Sequence, residues 1–137
     1  FHGWIWRSRM AVLFAEILAA RGDWSGALDL ATGCIAGCRP LLRVKYRLLA
    51  EHVRSRALSA LGRRDDAVAG AWASVEEART YPDPAMRLRA ATTVLAITAD
   101  ERARAELVEA ASAIERGLPT EAGRAIFRDN APLTDAG

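Results

Sequence analysis

The side chains most able to do chemistry in this 137-residue sequence are two cysteines, two histidines and a few adjacent carboxylates. Cys34 and Cys38 lie one helical turn apart, so on a helix both thiols project from one face. A structural zinc site needs four ligands, and His2, at the start of the chain, and His52, on another segment, do not complete one. Two packing cysteines are the simpler reading. Asp65-Asp66 opens a helix, where acidic groups complement the dipole, and Glu76-Glu77 reads as a solvated face. Gly22-Asp23-Trp24-Ser25-Gly26 is superficially like a hydrolase elbow, but its serine stands three residues after the first glycine instead of two, and no strand precedes it. Arg21-Gly22-Asp23 spells an adhesion tripeptide inside an interhelical turn. There is no phosphate-cradling glycine loop. The expectation is therefore no catalytic residue, no metal and no cofactor.

Binding is the better prospect. The segment Leu41 to Leu61 carries Arg43, Lys45, Arg47, Arg54 and Arg56 against Glu51 alone. As a helix it places Arg43, Arg47 and Arg54 within an arc of about 40°, to one side of its apolar stripe. The shift that carries Gly22 onto Gly62 brings Arg7 to the position of Arg47. Aligned guanidinium groups at a groove edge suit the carboxylates of an acidic peptide, or a phosphate. The alternative is an ordinary solvated face.

The elements that must position these groups are helical. Alanine is by far the commonest residue and leucine is frequent, while glycine, proline and aromatic residues are few, a composition that excludes an all-β chain. With 51% hydrophobic and 26% charged residues the chain is too apolar for disorder, and no uncharged run approaches the length of a membrane span. Every basic residue but Lys45 is arginine, and the net charge of +2 is modest, so nucleic acid is an improbable partner. Two cysteines are no disulfide framework, and without a secretory signal the setting reads as cytoplasmic. The chain opens on Phe1-His2-Gly3 without methionine, as expected of a piece of a longer polypeptide.

Two glycine turns, at Gly22 and Gly62, set a repeat, and the same shift superposes Leu18 on Leu58, Ala31 on Ala71 and Ile35 on Val75. Trp6, Met10, Leu13, Ile17 and Ala20 form an apolar stripe before the first turn. Leu42, Tyr46, Leu49, Val53, Ala57 and Ala60 do so before the second, on a helix that Pro40 can begin. Leu28, Ala31 and Ile35, then Val68, Trp72 and Val75, mark the partner helices. A third pair follows Tyr81-Pro82-Asp83-Pro84: one helix over Ala85 to Thr98, then one capped by Asp100 and running to Arg116. Thr120 caps a short segment through Phe127, with Ile126 and Phe127 available to close the stack. Residues 129–137 read as a flexible tail.

These turns resemble the tetratricopeptide repeat (TPR), with a glycine between two helices, an aromatic two residues later and a small residue five after the glycine. Gly22, Trp24 and Ala27 match fully; Gly62 and Ala67 match, with Arg64 in the aromatic's place; in the third unit Asp100 replaces the glycine and Ala105 stands at the crossing. The long period, from Gly22 to Gly62, is similar to the longer repeats of bacterial signal-transduction ATPases and LuxR-type transcriptional regulators. So are Pro82-Asp83-Pro84-Ala85-Met86-Arg87-Leu88-Arg89-Ala90 and Ile114-Glu115-Arg116-Gly117-Leu118-Pro119 followed by Ala125-Ile126-Phe127. The resemblance implies an all-α fold: a right-handed α-solenoid of about three TPR-like hairpins with a short C-terminal capping helix, spanning residues 1–128.

It further implies a non-enzymatic module for protein–protein interaction or self-association, within a larger bacterial regulator. Its partner would be a protein or acidic peptide held by Arg7, Arg43, Arg47 and Arg54, with no membrane. Trp4, Ile5 and Trp6 are too many bulky residues for one helix to bury against its own partner, so they are expected to meet another copy, giving a homo-oligomer. The alternative is a small-molecule sensor controlling an attached ATPase or DNA-binding domain.

Overall fold

A computed structural model describes residues 3–39 and 43–131, apart from the side chains of Trp4 and Ile5. Seven α-helices and no strand occur among the described residues. They are α1 (Gly3–Ala20), α2 (Trp24–Cys38), α3 (Val44–Ala60), α4 (Arg64–Thr80), α5 (Pro84–Thr98), α6 (Glu101–Gly117) and α7 (Glu121–Asn130). Each of the first six packs on the next in the chain, and α3 also packs on α1 and α5.

Local chemistry fixes the turns. Gly22 and Gly62 adopt φ of +79° and +82°, where a side chain would be strained although no described atom lies within 4 Å of a Cβ built there. Asp23 caps α2, its Oδ1 accepting from the Gly26 N–H at 2.9 Å. A Cβ at Gly26 would stand 2.6 Å from Asp23 Oδ2, so a larger residue there would displace the capping carboxylate. In the third turn the glycine's position belongs to Ala99, at φ 54°, and not to Asp100 as the repeat pattern suggests. Asp100 instead caps α6, accepting from the Arg102 N–H at 2.9 Å. Thr120 caps α7 through the Gly123 N–H at 3.0 Å.

Small residues let the helices approach closely. Ala15, Ala19, Ala27, Ala31, Val53 and Ala57 join α1, α2 and α3, while Leu58, Ala67, Ala71, Val75, Ala90 and Val94 belong to the larger cluster joining α3 to α6. Ala27 and Ala67 are fully buried at their crossings. In the third pair the crossing residue is Ala103, at 0% exposure, and the expected Ala105 faces solvent. Ion pairs bind the outside: Glu106 of α6 accepts from Arg79 Nε of α4 at 3.0 Å and from Arg87 Nε of α5 at 2.8 Å.

Two expectations change. The stripe Trp6, Met10, Leu13 and Ile17 turns outward from α1, while Ser8, Val12, Ala15 and Ala19 face the neighbours. The small side chains occupy the close crossing and displace the bulky ones to the far side. At the other end α7 rests on α6 with Ile126 largely exposed, and it continues through Asn130 into a buried Ala131, so the expected tail is helical over its first residues. Residues 132–137, like the Pro40 and Leu42 assigned to the start of the third helix, lie outside the described residues.

Candidate functional site

Of the four arginines expected to form a ridge, Arg47 and Arg54 are committed within the fold. Arg47 pairs with Glu77 of α4, and Arg54 with Glu51 one turn back at 3.3 Å. Only 21% and 27% of their side chains are exposed, because α4 crosses α3 there and Gly70 admits Arg54 against its backbone. Lys45 reaches Asp83 at 3.8 Å, and Arg56 lies 5.9 Å from the centre of the Trp24 ring. The ridge therefore works as a seam between helices, not as an open row of guanidinium groups. Glu77 on α4 and Asp83 at the start of α5, both distant in sequence, join Glu51 in neutralising charges that look unbalanced along α3 alone.

Arg43 and Arg7 are brought together elsewhere. Arg43 precedes α3 and donates from Nη1 to Ser8 Oγ on α1 at 3.3 Å. It shares with Arg7 the rim of a groove between α1 and α2, a hollow of about 370 Å³ with Asp29, Leu30, Gly33 and Gly37 along its α2 side. No described atom lies within 4 Å of a Cβ built at Gly33 or Gly37, so the missing side chains leave the groove open. Cys34 lines it too, but burial first, and the neighbouring Cys38 second, push its thiol up to about 12. A thiol held protonated is a packing group and no nucleophile.

His52 lies between α3 and α5. Thr93 Oγ1 donates to the Arg89 carbonyl at 2.9 Å and accepts from His52 Nδ1 at 2.5 Å, which puts the ring proton on Nδ1. Burial, then the charges of Arg89 and Arg56, lower its pKa to about 4. The ring stays neutral near neutrality, and the hydroxyl beside it serves a backbone carbonyl. That geometry supports packing and offers no activated nucleophile.

The most exposed apolar surface is the outer face of α1. Trp6 is 60% exposed, and Met10, Leu13, Phe14 and Ile17 between 37% and 51%. These five occupy an arc of about 100° directly opposite the buried Ser8, Val12, Ala15 and Ala19. Of the trio expected to drive self-association, Trp6 is exposed, while the side chains of Trp4 and Ile5 lie outside the described residues. Met10, Leu13, Phe14 and Ile17 complete the face and were not singled out for it by sequence. The signal was available in the repeat shift, which sets Met10, Leu13 and Ile17 on Ala50, Val53 and Ala57. Those α3 residues are covered by α1 and α2, and α1 has no earlier helix pair among the described residues to cover it.

No protein-family model, curated protein or solved structure matches the chain. No helix among the described residues is long and apolar enough to cross a membrane.

Proposed function

We propose that the chain is a non-enzymatic interaction module which binds another polypeptide through the outer face of α1. The observation that carries this reading is the contiguous stripe from Trp6 to Ile17, five large apolar side chains left in water on one helix face. Leaving that surface bare costs free energy that a docked helix recovers, and patches of this kind on soluble proteins mark interaction sites. The stacking of short helix pairs at alanine-lined crossings supports a right-handed, TPR-like α-solenoid of three hairpins followed by α7, a scaffold suited to presenting helix faces to partners. A place within a larger bacterial regulator rests on the long period from Gly22 to Gly62 and on the segments from Pro82 to Ala90 and from Ile114 to Pro119.

A photocrosslinking side chain at position 13, with position 63 as an exposed control, tests the reading in cells. Position 13 should yield polypeptide adducts and position 63 should not. Equal labelling, or none, would reject it.

The groove bearing Arg7 and Arg43 favours a second reading, a small-molecule sensor that takes an apolar carboxylate. A thermal upshift with medium-chain fatty acids, abolished by Arg7→Ala, would support it, and an unchanged midpoint across the series would reject it.

A further inference from the structure

We infer that the occupant of the α1 face is a second copy of the same chain, packed antiparallel about a two-fold axis crossing α1 between Val12 and Leu13; this rests on the reading of that face as a docking surface. Bulk sets this face apart from the joints inside the chain. At the joint inside the chain, α3 meets the preceding pair through Ala50, Val53 and Ala57, all at 0% exposure, small enough for helices to close together. The corresponding α1 residues are Met10, Leu13 and Ile17, flanked by Trp6 and Phe14. Such side chains hold helices further apart and interdigitate as knobs along a seam, the way two like helices pair, so another close-packed repeat fits this face poorly.

Charge favours the same pairing. Arg9 and Glu16 lie on the same flank of the stripe, two turns and about 10.5 Å apart along the axis. A two-fold axis between antiparallel helices brings like flank against like flank. With the axis midway, Arg9 of each chain stands level with Glu16 of the other, making two identical ion pairs. A parallel pair would instead set the Arg9 flank of each chain against the Arg7 flank of the other, arginine near arginine. Among the described residues Arg9 forms no ion pair, its guanidinium lying 6.0 Å from the centre of the Trp6 ring, and Glu16 makes only a long contact of 3.5 Å with Arg89. Arg7, on the opposite flank, is kept about 16 Å from its symmetry mate, beyond a Debye length in physiological salt. One helix on one helix is at the small end of specific interfaces, under about 1,200 Å² in total, so the dimer is reversible and follows concentration.

Sedimentation equilibrium of the full chain should show a monomer–dimer equilibrium. Arg9→Glu and Glu16→Arg should each weaken dimerisation about tenfold or more, while an equimolar mixture of the two, whose charges match again across the heterodimer, recovers to within about threefold of the original. Leu13→Glu should abolish the dimer at unchanged helix content. Arg9→Glu breaks no ion pair among the described residues and carries the test alone should Glu16→Arg not fold. A monomer at every concentration, single variants that dimerise like the parent, or a mixture that stays monomeric would each overturn the inference. If position 13 then still crosslinks to a different polypeptide, the docking face stands and only its occupant is wrong; if it crosslinks to nothing, both fall.

Discussion

Arg47 of α3 and Glu77 of α4 form an ion pair in which each side chain keeps only about a quarter of its surface in water, 21% and 26%. A pair so placed is more than a surface decoration, because removing one partner leaves the other partly desolvated. Arg47→Glu sets two carboxylates face to face and should cost about 1 to 2 kcal/mol in urea unfolding, with Glu77→Arg in the same chain restoring most of it. A variant as stable as the parent would show that the seam does not hold α3 to α4.

The turns predict effects of opposite sign. Gly62→Ala forces a side chain into the left-handed region at φ +82° and should destabilise by about 1 kcal/mol. Ala99→Gly relieves the same strain at φ 54° and should stabilise by about 0.5 kcal/mol, since the relief exceeds the entropy glycine adds to the unfolded chain. Thermal melts of the two variants, shifted in opposite directions, check this.

What sequence disclosed, and what it hid, follows from the range of the forces involved. Helix ends are set by groups close by in the chain, so Gly22, Gly62, Asp100 and Thr120 were readable as punctuation. Burial of Ala27 and Ala67 followed from the repeat register. The inward face of α1 did not, since periodicity finds an apolar stripe without saying whether Val12 and Ala15 or Leu13 and Ile17 will meet a neighbour. Nor did the fate of the arginines, because Glu77 lies far along the chain from Arg47 and only the packing of α4 joins them.

His52 gives the fold a pH dependence. Its pKa falls from 6.5 to about 4 on folding, so between those values the unfolded chain binds the extra proton. The contribution is fully present above about pH 6.5 and is lost as pH drops toward 4, amounting to about 2 to 3 kcal/mol. Urea midpoints measured from pH 7.5 to 4.5 should fall less steeply for His52→Gln than for the parent. Parallel curves would show that the ring is not desolvated.

Two hydroxyls, Ser55 Oγ and Ser74 Oγ, are buried without a hydrogen-bond partner among the described residues. Ser55→Ala removes the unpaired group with little change of volume and should be neutral or stabilising by up to about 1 kcal/mol in denaturant unfolding. A clear loss of stability would reveal a hydrogen bond there.

The alanine-lined crossings invert the usual pattern of mutational tolerance. Apart from Leu58, Val53, Val75 and Val94, the side chains most deeply enclosed are no larger than threonine or cysteine. Truncation at Ala27, Ala67 or Ala103 removes a single methyl group, whereas any larger residue must push two backbones apart. Most cores drift by exchanging aliphatic side chains of similar volume. This one can drift at its crossings only among glycine, alanine and serine, so its divergence is directed to the outer faces.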